Sequence, residues 1–191
     1  MIPDVSSTAP KPVLYISGRG GDHTKGLGGY IGTLAPHYDG ISVNPEFLRQ
    51  SIDEQIEAVR ESLRGCNGGT VVANSFGAHL LLLALIEFEH DIQQIILLSP
   101  VLGAALSKER MFFSRPPATK RLMLAVEERR LALPTNSAIY IGSEDEGYCP
   151  ILTSKYSDLI GEDRVFVLTG ERHNLSKDIV QMILTKRLVN S

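Results

Sequence analysis

"TVVANSFGAHLLLLAL", residues 70 to 85, joins a β-branched run suited to a buried strand to an apolar run long enough for a helix, with Ser75 at the junction. A strand that turns directly into a helix is the building unit of a parallel α/β sheet. Two roles are open to the serine: a helix cap, which serine often is, or a nucleophile raised on a tight turn.

Outward from this junction the alternation repeats. Upstream, "PVLYISGRGGD" predicts a strand at 13 to 17 that ends in a glycine-rich turn, "GLGGYIGTLAP" carries the first helix, and "GISVN" at 40 to 44 is the second strand. In "SIDEQIEAVRESLRG", Ser51 and Glu54 have capping-box spacing, Ile52, Ile56, Val59 and Leu63 share one helical face, and Gly65 is a stop. Downstream, "IQQIILLSP", "AIYIGS" and "RVFVLTG" read as strands, with "PILTSKYSDLIG" and "SKDIVQMILTKRLV" as helices. Residues 101–134 differ in texture, with aromatics, a Pro pair and charged helical segments, and read as a lid-like insert. Parallel strands need crossover connections, so the expected fold is α/β: a three-layer α/β/α sandwich of about six parallel strands in a single domain, 1–191, with a short helical insert.

The composition agrees with one domain: 191 residues, 43% hydrophobic and 21% charged. With a net charge of -3 and dispersed Lys and Arg, there is no basic footprint for nucleic acid or an anionic membrane, and a small-molecule partner is expected. "MIPDVSSTAPKP" lacks the basic and apolar regions of a secretory signal, and "LLLLALI" at 80 to 86 is too short to span a bilayer. Cys66 and Cys149 read as free thiols, and the expected location is the cytoplasm.

In such sheets ligands sit beyond the carboxyl ends of the strands. Four loops there carry polar or glycine-rich sequence: "SGRGGD", "NSFG", "GSEDEGY" and "TGERHN". Ala73-Asn74-Ser75-Phe76-Gly77 is a variant of G-x-S-x-G, the nucleophile elbow, where small neighbours are needed because the turn packs tightly between strand and helix. Asp145 follows the fifth strand and His173 the sixth, which gives the chain order Ser, acid, His of triads on this architecture. Taken singly, each has a plainer reading: a cap, a solvated turn acid and a structural histidine. Glu144 and Glu146 flank the favoured acid, His79 one turn beyond Ser75 reads as packed or capping, and His23 in the glycine-rich loop is a candidate to line the site.

Neither nucleotide fingerprint fits: a G-x-G-x-x-G starting at Gly18 needs Gly where His23 stands, and a Walker loop needs Gly-Lys-Ser/Thr where the chain has Thr24-Lys25-Gly26. No His, Cys and acid spacing calls for a metal, and no cofactor is expected. Met111, Phe112, Phe113, Leu122 and Met123 supply either an apolar wall for a substrate or a helix packed on the core.

These residues resemble the α/β-hydrolase superfamily of serine hydrolases over nearly the whole chain. "SGRGGD", "FSRPP", "GSEDEGYCP" and "GERHN" are most similar to the small retinoblastoma-binding-protein and YdeN type. Ser17 stands where the superfamily often has a His, and Ala73 replaces the first Gly of the elbow. The resemblance implies a carboxylesterase-like hydrolase of small esters or thioesters. Ser75, Asp145 and His173 would be its triad, the backbone N–H groups of Phe76 and Arg19 its oxyanion hole, and Gly18 and Gly20 would let the loop approach substrate. An acyltransferase with the same triad and a non-catalytic binding protein on the same fold are the alternatives.

Overall fold

The structure is a computed structural model that describes residues 11–103 and 116–189. Six strands alternate with six helices: β1 (Val13–Ile16), α1 (Leu27–Leu34), β2 (Tyr38–Ile41), α2 (Ile52–Gly65), β3 (Thr70–Asn74), α3 (Ser75–Ala84), β4 (Gln94–Leu98), α4 (Thr119–Glu127), β5 (Asn136–Gly142), α5 (Pro150–Ile160), β6 (Val165–Leu168) and α6 (Lys177–Leu188). All neighbouring strands pair in parallel, in the order β2-β1-β3-β4-β5-β6.

Because side chains alternate across a strand, the sheet splits its apolar residues between two cores. Leu14, Ile16, Val71, Ala73, Ile95 and Leu97 face α2, α3, α4 and α5, whereas Val13, Tyr15, Val72, Ile96 and Tyr140 face α1 and α6. This is the expected three-layer sandwich. The α2 helix begins as its sequence indicates: Ser51 Oγ accepts from the Glu54 N–H while the Glu54 carboxylate accepts from the Ser51 N–H.

The bounds of the second strand differ from the sequence reading. The second strand starts at Tyr38 and ends at Ile41, earlier than 40 to 44, because Val43 turns its carbonyl to the Gly20 N–H and its own N–H to Ser17 Oγ, outside the ladder. Ser17, in the place of a common histidine, is therefore a buried pin between two strand ends. Within residues 101–134, α4 packs on the core, with Leu122 and Ala125 fully buried, so Leu122 is not free to line a substrate wall, while Met123 is only partly buried. Met111, Phe112 and Phe113 lie outside the described residues.

Candidate active site

The sheet reverses its winding between β1 and β3: from β1 the chain crosses to β2 on one side, and from β3 it proceeds to β4 on the other. A crevice opens at such a switch point, beyond the carboxyl ends of the two strands. The residues that follow them meet there. A Cβ placed on Gly18 would lie 3.3 Å from the Ser75 Cβ, so the glycine-rich loop after β1 rests directly against the serine.

Ser75 opens α3 with φ +52°, a left-handed conformation that costs a non-glycine residue about 1–3 kcal/mol. Asn74 takes the N-cap position and provides no side-chain cap. The plainer reading of Ser75 as a cap thus gives way to a strained turn. A Cβ on Gly77 would stand 2.2 Å from the Ser17 carbonyl oxygen, and Ala73 is fully buried, so bulk is excluded on both sides of the serine. This close packing explains the small residues of the elbow.

The Ser75 hydroxyl points to the imidazole of His173, with 2.7 Å between Oγ and Nε2. On the other side of that ring, Nδ1 lies 2.9 Å from Oδ2 and 3.1 Å from Oδ1 of Asp145. The loops that carry the pair are laced together: the Ser143 N–H donates to the Leu168 carbonyl, the Glu144 N–H to the Glu171 carbonyl, and the Gly170 N–H to Ser143 Oγ. A Cβ on Gly142 would meet the Glu171 carbonyl oxygen at 2.1 Å, so only glycine permits this approach.

Burial divides the labour between the two. The Asp145 side chain is 1% exposed and that of His173 39%, so the acid is enclosed while the imidazole edge opens to solvent. The Gly147 N–H donates to Asp145 Oδ1 at 2.7 Å, compensating the buried carboxylate. Hydrogen bonding to Asp145 raises the His173 pKa above the ordinary histidine value, burial opposes this, and the negative charges of Asp145 and Glu146 add to the rise. Among the three consecutive acids, Glu144 instead pairs with Arg172 at the exposed rim.

The Arg19 N–H has no acceptor among the described residues, while the Gly20 N–H is held by the Val43 carbonyl and Gly20 takes φ +76° to reach it. The Phe76 N–H lies in the first turn of α3, where no intrahelical carbonyl is available. His23 goes elsewhere. Its N–H and Nδ1 both meet Ser42 Oγ, its carbonyl accepts from the Tyr38 hydroxyl, and it packs over Gly40 of β2.

One neighbour was not legible in the sequence. Ser99, one residue beyond β4 and thus in register with Ser75 beyond β3, also takes a left-handed φ of +42°, and its buried hydroxyl has no partner among the described residues. His79 touches carbonyls with both ring nitrogens. Cys66 and Cys149 are buried and unpaired, and burial pushes the Cys66 thiol up to about 11. Among the described residues no group of His, Cys, Asp and Glu forms a metal cage, and no helix is long and apolar enough to cross a membrane.

No family model matches the chain, and no curated protein matches it in sequence. Solved structures do resemble it. A monoacylglycerol lipase from Paleococcus ferrophilus is 11% identical, with a TM-score of 0.67 over 95% of this chain and 97% of the other. The thioesterase domain from the curacin biosynthetic pathway is 12% identical, with a TM-score of 0.64 over 92% and 90%. A protein from Pectobacterium atrosepticum assigned as a YdeN-like hydrolase is 13% identical, with a TM-score of 0.58 over 92% and 89%. At these identities the likeness establishes the fold, and the chain has the α/β-hydrolase fold.

Proposed function

We propose that the protein is a serine hydrolase that cleaves small carboxylic esters or thioesters through an acyl-enzyme. The observation that carries this reading is the unbroken hydrogen-bonded line from the strained Ser75 through His173 to the enclosed Asp145. Ser75 Oγ attacks the acyl carbonyl carbon as its proton passes to His173 Nε2. Asp145 holds the ring with Nδ1–H toward itself and favours the imidazolium that forms. The oxyanion is received by the N–H groups of Phe76 and Arg19. When the tetrahedral adduct collapses, the alcohol or thiol leaves with the proton from His173. Water then repeats the sequence against the acyl-enzyme, giving the carboxylic acid and free Ser75.

The lipase and thioesterase descriptions of proteins sharing the fold support the substrate class. Turnover of p-nitrophenyl acetate and of an acyl thioester by the wild type, with none by Ser75→Ala at unchanged circular dichroism, is the expected result. A Ser75→Ala variant that keeps most of its turnover overturns the reading. Analysis of the products, free acid against a transferred acyl group, separates hydrolysis from acyl transfer.

A further inference from the structure

His79 is fully buried on α3, one helical turn beyond Ser75. Its ring stacks on Phe76, with centroids 5.8 Å apart. Nδ1 lies 3.1 Å from the Val101 carbonyl oxygen and Nε2 2.9 Å from that of Pro117. A carbonyl only accepts, and a neutral imidazole carries a single N–H, so the two carbonyls compete for one proton. Burial holds the ring in its neutral form by lowering its pKa, against the opposing pull of the Pro117 and Val101 carbonyls. A ring needed only to fill the core would be better replaced by an apolar side chain, which leaves no polar edge unsatisfied.

The position of Val101 gives the imidazole a task. The Val101 N–H donates to the Ser75 carbonyl at 3.3 Å, so a closed circuit runs from Ser75 through Val101 to His79 and back along the first turn of α3. Phe76, whose N–H is assigned to the oxyanion in the proposed mechanism, is clasped inside it. We propose that the single proton sits on Nδ1, although the Nε2–Pro117 contact is the shorter, and that His79 is thereby a positioning residue for the nucleophile turn, fixing Ser75 and Phe76 by an Nδ1–H bond to the Val101 carbonyl. This rests on the serine-hydrolase reading for its effect on rate, and on the circuit alone for its effect on Val101. The ring touches no reacting atom. It acts through the geometry of the turn, where a small misplacement lowers kcat more than KM.

Three variants separate this role from packing. His79→Phe keeps the stack and removes both polar edges. In His79→Asn the amide nitrogen takes roughly the place of Nδ1, and in His79→Gln that of Nε2. The expected result is a kcat about tenfold lower for His79→Phe with KM little changed, recovery to within about threefold for His79→Asn, and no recovery for His79→Gln. Hydrogen exchange at the Val101 amide, which needs no turnover, follows the same order: faster in the Phe and Gln variants and near wild type in Asn. Wild-type exchange at Val101 in His79→Phe, or Gln restoring kcat and protection as well as Asn, overturns the proposal. Equal loss in all three also overturns it. If no variant nor the wild type turns over ester while the exchange order holds, the hydrolase reading fails and the positioning circuit stands.

Discussion

Ser75 Oγ and His173 Nε2 lie 2.7 Å apart although 98 residues separate them in the chain. The sheet accounts for this. Ser75 follows β3 and His173 follows β6, and the strand order sets β4 and β5 between them, so the imidazole must reach back across two strand ends to the serine. The lacing between the loops after β5 and β6 holds it over that gap, with Asp145 behind it.

Replacing Asp145 by Asn removes the group that fixes the His173 tautomer, because an amide can offer its own N–H to Nδ1 and turn the ring proton toward Ser75. The kcat is expected to fall roughly 10⁴-fold, the size of loss that a wrong tautomer produces. Steady-state kinetics on a chromogenic ester checks this, and thermal unfolding checks that the fold survives.

In the proposed mechanism His173 accepts the serine proton only when neutral, and its pKa is raised above the ordinary histidine value by the Asp145 hydrogen bond. Activity is therefore expected to rise with pH through a midpoint above that of a free histidine, and a kcat/KM profile locates it. The stability effect runs the other way. A raised folded pKa contributes stability that is fully present below the unfolded pKa and is lost as pH rises through the folded one. The His173→Ala variant is expected to lose more stability relative to wild type at acidic than at alkaline pH.

The φ of +52° at Ser75 separates activity from stability. Ser75→Ala and Ser75→Gly both remove the proposed nucleophile, yet only glycine relieves the left-handed strain. Ser75→Gly is expected to be more stable than Ser75→Ala by about 1 kcal/mol in denaturant unfolding.

Gly77 and Gly18 guard the serine from different sides. Gly77→Val drives a branched side chain into the Ser17 carbonyl and is expected to destabilise by several kcal/mol, on the order of an overpacked core, measured by urea unfolding. Gly18→Val meets Ser75 Cβ and the Asn74 amide at a looser 3.3 Å at the mouth. It is expected to cost less than about 1.5 kcal/mol in stability but tenfold or more in kcat/KM.

Periodicity and caps made the sheet readable because those signals are local: the capping box at Ser51 and Glu54 places α2, and the strand-to-helix join places Ser75. The chain order of Ser75, Asp145 and His173 pointed to groups that the structure brings within hydrogen-bonding distance. What could not be read depends on partners distant in sequence. The early end of β2 is set by Ser17 and Gly20 across the loop, and His23 is taken to the sheet edge by Ser42 and Tyr38. The two carbonyls at His79 belong to residues 22 and 38 positions away, beyond any local pattern.

A single covalent trapping experiment bears most directly on the central claim. Incubation with a fluorophosphonate, followed by intact-mass and peptide mass spectrometry, is expected to give one adduct, on Ser75, formed rapidly by the wild type and at least a hundredfold more slowly by His173→Ala. An unlabelled Ser75, or labelling at the same rate without the imidazole, would contradict it.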